Sequence, residues 1–504
     1  MNPRMLMYPL RHVLRLTLEA ITPLSASSGD LSADFDTCLF RDWNGLPCLS
    51  GATLAGVLRA IHADYYGKAA SEDLFGMEDK AGNGRSSGLM VSFGMVHDEK
   101  GTPVTGYLGP EAIATDTVLA ALAEEAPLLR DHVALTPTGA AADKLKFDRV
   151  SCPVGTRFTL DLALDGETGD GERLRTLARL FAVPYLRLGG AGRRGLGRQR
   201  VVSAYQAAID RRAAAGRDRW VAYRRAGLAA MPAACGFMQL PQDALEAPPA
   251  ASSQRVPIEA ILRVTPKWFW RIGQGEEPWA PLPKDANAPD VSPRVETVLR
   301  WDGSDRLVRK PLAPVPGSAV KGAIAHRTEF HLRRLQDGWA EREQWEQAAR
   351  KSAVLFGAAR DAGSGTAGAV LVDDVIVDFG KQTTKTALRT RNSIDRHTGG
   401  VRLQKLFTDE TLWQGPSFEI PITLLARHPD GSWVDEQAVQ ALDWAIEDLG
   451  EGRLALGGRE AAGDGVFEQG SLTVTMAGDE RRWGSFTETL RAARECASGA
   501  VEAT

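Results

Sequence analysis

Hydrophobic and polar positions alternate early in the chain. Leu14, Leu16 and Leu18 interleave with Arg15, Thr17 and Glu19, the period of a half-buried strand. A polar loop covers about residues 22–51 and precedes Leu54, Val57, Leu58, Ile61 and Tyr65, which share one helical face. The same order returns later. Ile258, Ala260, Leu262 and Val264 alternate, a long Pro-rich loop follows, and a helix is predicted from Gly317-Ser318. Apolar and β-branched runs at 88–96 and 156–164 predict further strands, with counterparts at 369–377 and 417–425. Between the halves, residues 205–228 are rich in Arg and Ala and read as helix. Residues 241–257, rich in Pro, Ala and Ser, read as a linker.

Individual residues repeat as well. Leu46-Pro47-Cys48-Leu49-Ser50-Gly51 returns as Leu312-Ala313-Pro314-Val315-Pro316-Gly317. Leu74-Phe75-Gly76 returns as Leu355-Phe356-Gly357, and Leu188-Gly189-Gly190 as Leu456-Gly457-Gly458. Thr138-Gly139, Phe147, Gly155 and Phe158 return as Thr398-Gly399, Phe407, Gly415 and Phe418 at one constant separation. Matched landmarks in one order imply a tandem duplication. The expected organisation is a first domain over 1–204, a helical stretch and linker over 205–256, and a second domain over 257–504. Strand, loop, helix and further strands in each copy predict an α+β fold of two tandem ferredoxin-like (RRM-like) domains.

Composition narrows the class. At 504 residues the chain exceeds one ordinary core. No apolar run approaches the ~20 residues of a membrane span, so no membrane role is expected. His12, Arg15 and Glu19 break the first apolar stretch, which predicts no secretory signal. Five scattered cysteines without a CxxC pair fit a reducing cytoplasm. A formal net charge of −4 means that any nucleic-acid site must come from local charge.

Three repeated features carry such chemistry. Ser50-Gly51 and Gly317-Ser318 open helices, where free N–H groups and the helix dipole suit phosphate; a plain N-cap is the alternative. Gly189 to Arg198 is a glycine loop with Arg193, Arg194 and Arg198, suited to a sugar-phosphate chain or, more simply, to a solvated turn. Its second copy, 457–465, keeps the glycines but includes acids. The third feature is Lys381 to Lys405, which carries Lys381, Lys385, Arg389, Arg391, Arg396, Arg402 and Lys405 against Asp395 alone. Thr383, Thr384, Thr386, Asn392 and Ser393 interleave as donors and acceptors for phosphate or a 2′-hydroxyl. Walker and HExxH motifs are missing from the sequence. The histidines show no ligand spacing.

Gly317-Ser318-Ala319-Val320-Lys321-Gly322, Leu355-Phe356-Gly357, residues 368–373 and Asn392-Ser393-Ile394-Asp395-Arg396-His397-Thr398-Gly399 resemble the RAMP superfamily. In the first half the matching pattern is Asp36-Thr37-Cys38-Leu39-Phe40-Arg41-Asp42 with Gly45-Leu46-Pro47. More narrowly, the chain resembles the fused tandem backbone subunits of type III-D and III-E CRISPR effector complexes. The resemblance implies two modified ferredoxin-like domains with inserted hairpins. It also implies guide crRNA and target RNA as ligands and other CRISPR effector subunits as partners. A thumb hairpin displaces one nucleotide of the guide–target duplex; residues 379–398 match it in the second half, and 97–136 match it less well in the first.

The same resemblance places target cleavage at an aspartate after the first strand. Asp36 matches it and would hold a divalent metal, Mg or Mn. Its second-half equivalent is Glu296, with Asp290 competing. The family's helix carries a lysine and, four residues on, an arginine. The first half has Ala55 and Arg59, and the second has Lys321 and Ala325 with Arg327 nearby. A lone carboxylate suffices because RNA supplies its own 2′-hydroxyl nucleophile. Two other functions fit the same residues: a non-catalytic RNA-binding scaffold, and a metal-independent guide-processing endoribonuclease. Duplication favours a subunit that tracks a long duplex.

Overall fold

The computed structural model describes residues 9–502, apart from 28, 30–33, 79–83, 136–140, 230–234, 276, 283–287, 304, 310, 336–341, 359–364, 381–384, 477 and 480. Two compact units emerge. The first holds residues up to Gly192, Leu196–Gln254 and Val298–Leu307; the second holds Arg193–Gly195, Arg255–Thr297 and residues from Val308 onward.

In the first unit β1 (Leu10–Ala20) leads to α1 (Gly51–Tyr66), then β2 (Leu89–Val91). A hairpin of β3 (Leu128–Leu135) and β4 (Ala141–Ser151) precedes β5 (Arg157–Gly166), α2 (Gly171–Leu180) and β6 (Gln199–Asp210). Helix α3 (Ala214–Ala226) follows. The sheet order is β6-β1-β5-β2, antiparallel throughout. Strand, helix, strand, strand, helix, strand with the first strand beside the third is the ferredoxin-like arrangement, with a hairpin inserted before the third strand.

The second unit repeats it. Its elements are β7 (Pro257–Pro266), α4 (Gly317–Leu335), β8 (Val370–Val372), the hairpin β9 (Lys385–Ile394) and β10 (Val401–Trp413), β11 (Phe418–Leu425), α5 (Glu436–Gly450) and β12 (Phe467–Thr475). The order β8-β11-β7-β12 is the same sheet. A last helix, α6 (Phe486–Glu502), has its first N–H groups capped by Asp443, which accepts from Phe486 and Thr487.

Alternation decides which face each core occupies. Leu14, Leu16 and Leu18 pack with Phe158, Leu160, Leu162 and Leu164, and with Leu54, Leu58, Leu174 and Leu177 from α1 and α2. The opposite face of the first sheet is covered too. Val13, Ala163, Ala207 and Ile209 pack with Cys235 and Phe237, against Tyr205, Trp220 and Tyr223. Between them the Arg15 guanidinium grips Asp161 by two bonds of 2.8 Å, and Tyr223 donates to the same carboxylate at 2.6 Å.

Two expectations change. Residues 205–256 are not a free linker, because 205–210 complete β6, helix follows only from Ala214, and residues through Gln254 belong to the first unit. Leu245, Ala250 and Ser253 are buried there, and Tyr185 and Ser253 both donate to Asp64 of α1. The first-half hairpin is 128–151, overlapping 97–136 only at its first strand, and part of the earlier stretch folds as the short helices Pro110–Thr115 and Thr117–Ala123. Thr138-Gly139 lies outside the described residues.

The buried Arg15–Asp161 pair gives a direct test. Asp161→Ala strands a guanidinium in a closed interface and is expected to cost about 3–5 kcal/mol. Glu72→Ala, which breaks the exposed Lys68–Glu72 pair, is expected to cost under about 0.5 kcal/mol. Urea unfolding midpoints of the two variants check this.

Candidate nucleic-acid interface

In each unit three loops meet at one end of the sheet: the loop after the first strand, the base of the hairpin, and the glycine loop before the last strand. Backbone bonds tie them identically. Gly190 N–H donates to Ser25 O at 2.8 Å, and Gly458 N–H to Arg271 O at 2.9 Å. Gly197 N–H donates to Pro23 O and Gly465 N–H to Phe269 O, both at 2.8 Å. The glycines are required by close approach. A Cβ on Gly189 would sit 2.2 Å from Ser25 O, and one on Gly457 2.2 Å from Arg271 O, both at positive φ.

The same framework fixes the candidate aspartates. Asp36 N–H donates to Asp148 Oδ1 at 2.8 Å, and Asp148 N–H donates to Asp36 Oδ2 at 2.9 Å. One residue on, Thr37 Oγ1 accepts from Val150 N–H at 3.1 Å. In the second unit Asp290 N–H donates to Thr408 O at 2.9 Å, and Thr408 N–H to Asp290 Oδ2 at 2.7 Å. Glu410 N–H then donates to Val291 O. Phe147 and Phe407 precede Asp148 and Thr408. In both units the next N–H donates to the loop aspartate's Oδ2, while the aspartate's own N–H meets a side chain in one unit and a carbonyl in the other. Both aspartates are exposed.

Of the two second-half candidates, Asp290 is the one bonded to the hairpin base as Asp36 is. Glu296 is 3 % exposed and accepts from Arg294 Nε at 2.7 Å. Glu410 reinforces the loop that carries Asp290: its buried carboxylate accepts from Trp279 N–H at 2.6 Å and Ala280 N–H at 3.0 Å. Asp148 and Glu410 were missed in the sequence. Their position just after the paired phenylalanines was the available signal.

The basic residues divide into inner and outer sets. Lys321 is buried rather than facing a ligand, and its Nζ donates to Val370 O at 2.8 Å and Arg193 O at 3.1 Å. Burial, with Arg193 and Arg194 nearby, lowers its pKa to about 7. Arg193 Nε donates to Gly368 O. Arg327 binds the buried Asp448, which also accepts from His331 and Arg453. Arg389 binds Asp464 and lies over Phe269, and Arg391 stands 3.6 Å from Asp464. Arg459 pairs with Asp409 at 2.8 Å. These cations brace the loops.

Arg59, Arg194, Asn392 and Arg396 are exposed, as are Arg402 and Lys405, while Arg198 is half-buried. The second hairpin also exposes Ile394, Val401, Leu403 and Leu406, Leu403 at 93 %. A basic tip with bare apolar side chains suits a nucleic-acid duplex, where phosphates meet the charges and bases the hydrocarbon. Lys381, Thr383 and Thr384 lie outside the described residues, as does the Lys385 side chain.

The helix starts behave differently in the two units. A Cβ on Gly51 would lie 2.5 Å from Val91 O, and one on Gly317 2.3 Å from Val372 O, so both glycines serve close packing of helix on strand. Gly317 N–H donates to Asp374 Oδ1 at 2.7 Å. A carboxylate thus occupies the start of α4, beside half-buried Ser318. At α1 the first turn holds no acid, and Ser50 makes no side-chain cap.

Two ferredoxin-like units, each with an inserted hairpin and a glycine loop, define a tandem α+β architecture. The sequence profile of the RAMP superfamily matches residues 17–201 and again 270–468, and the chain belongs to that superfamily. Membership implies a CRISPR-associated RNA-binding subunit. No curated protein matches the chain. No helix among the described residues is long and apolar enough to cross a membrane.

Lys321 yields a pH signature. The unfolded chain holds this proton to about 10.5, whereas the folded protein releases it near 7. Between those values the unfolded state binds more protons, so stability rises with pH across that window and gains nothing from this group below it. Lys321→Met is expected to flatten the rise. Thermal midpoints from pH 6.5 to 10 check this.

Proposed function

We propose that the chain is a tandem backbone subunit of a type III CRISPR effector complex, which holds guide RNA and cleaves the paired target at Asp36 and Asp290. The observation that carries the reading is the repeated anchoring of an exposed loop aspartate on the base of a hairpin, which in the second unit is basic and apolar at its tip. In this reading the hairpin tip holds a displaced nucleotide. That rotation lines up the target's own 2′-hydroxyl with the adjacent phosphorus, and the aspartate lies beside the distorted linkage. The expected products are a 2′,3′-cyclic phosphate and a 5′-hydroxyl.

A divalent ion fits these residues in one manner only. Among the described residues no three His, Cys, Asp or Glu side chains converge. Asp36 and Asp148 each bind the other's N–H through one oxygen and leave the second without a hydrogen-bond partner among the described residues. That suits Mg²⁺, which keeps its waters and takes one or two carboxylates together with substrate phosphates. Asp36 and Asp148 would hold it in the first unit, and Asp290 alone in the second. When bound, the ion stabilises charge developing at phosphorus. The carboxylates themselves orient the 2′-hydroxyl by accepting its hydrogen bond.

Cleavage of a guide-complementary RNA by the assembled complex with Mg²⁺ tests this reading. Wild type is expected to cut twice. Asp36→Ala removes one cut and Asp290→Ala the other, each by about 100-fold or more, the scale of lost general-base or electrostatic assistance. Glu296→Gln keeps both cuts. A wild type that binds target without ever cutting it identifies a scaffold instead, and cleavage indifferent to EDTA identifies a metal-independent nuclease.

A further inference from the structure

Helix α3 lies outside both stretches matched by the superfamily profile. Residues 211–229 carry Arg211, Arg212, Arg217, Arg219, Arg224 and Arg225, no lysine, and Asp218 as their one acid. The helix is held by its aromatic side, where Trp220 and Tyr223 pack on the sheet. Arg217 and Arg224, seven residues apart, form one stripe beside Trp220, Arg225 lies the next position round the helix, and all three are exposed. Arg211 is committed to Asp165, and Arg212 to Asp210. Arg217, Arg224 and Arg225 form no ion pair among the described residues. Arg224 only lies over Trp220, and Arg217 only reaches backbone carbonyls.

The helix itself accounts for only part of this charge. Arg224 and Arg225 sit in the last turn, where cations complement the dipole. Arg217 stands near the start of the helix, where the dipole opposes it, and the first turn has no acid to offset it. Like charges gathered on one face weaken a lone helix, and are relieved when a polyanion neutralises them.

We propose that this face of α3 binds the phosphates of single-stranded RNA, as a contact separate from the hairpins and glycine loops. An all-arginine set favours phosphate, which guanidinium binds bidentately. A membrane surface does not fit, since Val221 is the one large apolar side chain exposed on the helix. The proposal rests on the RNA-binding part of the reading above and not on cleavage.

The test is fluorescence anisotropy of the full chain with a labelled 20-nucleotide oligouridylate across a salt series. Wild type is compared with Arg217→Gln/Arg224→Gln/Arg225→Gln and with Arg396→Gln/Arg402→Gln/Lys405→Gln. Glutamine keeps helix propensity, and matching circular dichroism and thermal midpoints establish that the variants fold. Removing three phosphate contacts is expected to lower the slope of log K against log salt by about 2, at ~0.7 per single-strand phosphate. The hairpin triple is expected to act independently, with the two effects adding when combined. An unchanged slope in the α3 triple overturns the proposal. So does equal wild-type affinity for a labelled polyglutamate peptide, which identifies an acidic protein surface as the partner. Binding is read without cleavage, so a chain that never cuts RNA sinks the nuclease reading and leaves this result standing.

Discussion

Everything at the functional end of each unit depends on one constraint: the loop after the first strand must be clasped to the base of the hairpin. Asp36 and Asp148 do this by trading backbone N–H bonds, and Asp290 and Thr408 do it again. The clasp serves two purposes with one side chain. It satisfies backbone groups that a long polar loop would otherwise leave to water. It also holds a carboxylate at a fixed place beside a projecting hairpin. The glycine loop closes the arrangement from the other side, with its backbone too close to Ser25 O and Arg271 O for any Cβ.

Much of the fold was legible because alternation reports burial directly. Leu14, Leu16 and Leu18 all face the core as their parity requires, and the repeated Gly-Gly and Leu-Phe-Gly landmarks mark equivalent positions in both units. The second aspartate was harder for a physical reason. A constant separation taken from Phe147 and Phe407 points to Glu296. That separation does not hold upstream, because the loop from β7 to α4 is longer than the loop from β1 to α1. Only the bonded partners show Asp290 tied to the hairpin base as Asp36 is. The first hairpin was obscured because β4 alternates charged residues with few apolar ones.

Charge was the least legible property. A run of arginines looks alike in sequence whether it faces RNA or a buried carboxylate. Arg389, Arg391 and Arg459 turn to Asp464 and Asp409, and Lys321 turns to two carbonyls. The acids that neutralise them are distant in sequence, so no local count of charge could separate bracing arginines from exposed ones. Among the described residues, exposed cations with no ion pair include Arg396 and Lys405 of the second hairpin and Arg217, Arg224 and Arg225 of α3. The open face of the first sheet is closed by Trp220, Tyr223 and Phe237, so that sheet surface is not free to meet a ligand.

The central claim is that Asp36 and Asp290 are equivalent carboxylates and Glu296 is a structural one. Its most direct measurement is Mn²⁺ binding, followed by electron paramagnetic resonance, to the guide-loaded complex with a 2′-deoxy target that cannot be cleaved. The account predicts two bound ions per chain, one lost with Asp36→Ala, the other lost with Asp290→Ala, and both retained with Glu296→Gln. An ion count that ignores both aspartates, or that falls with Glu296→Gln alone, contradicts it.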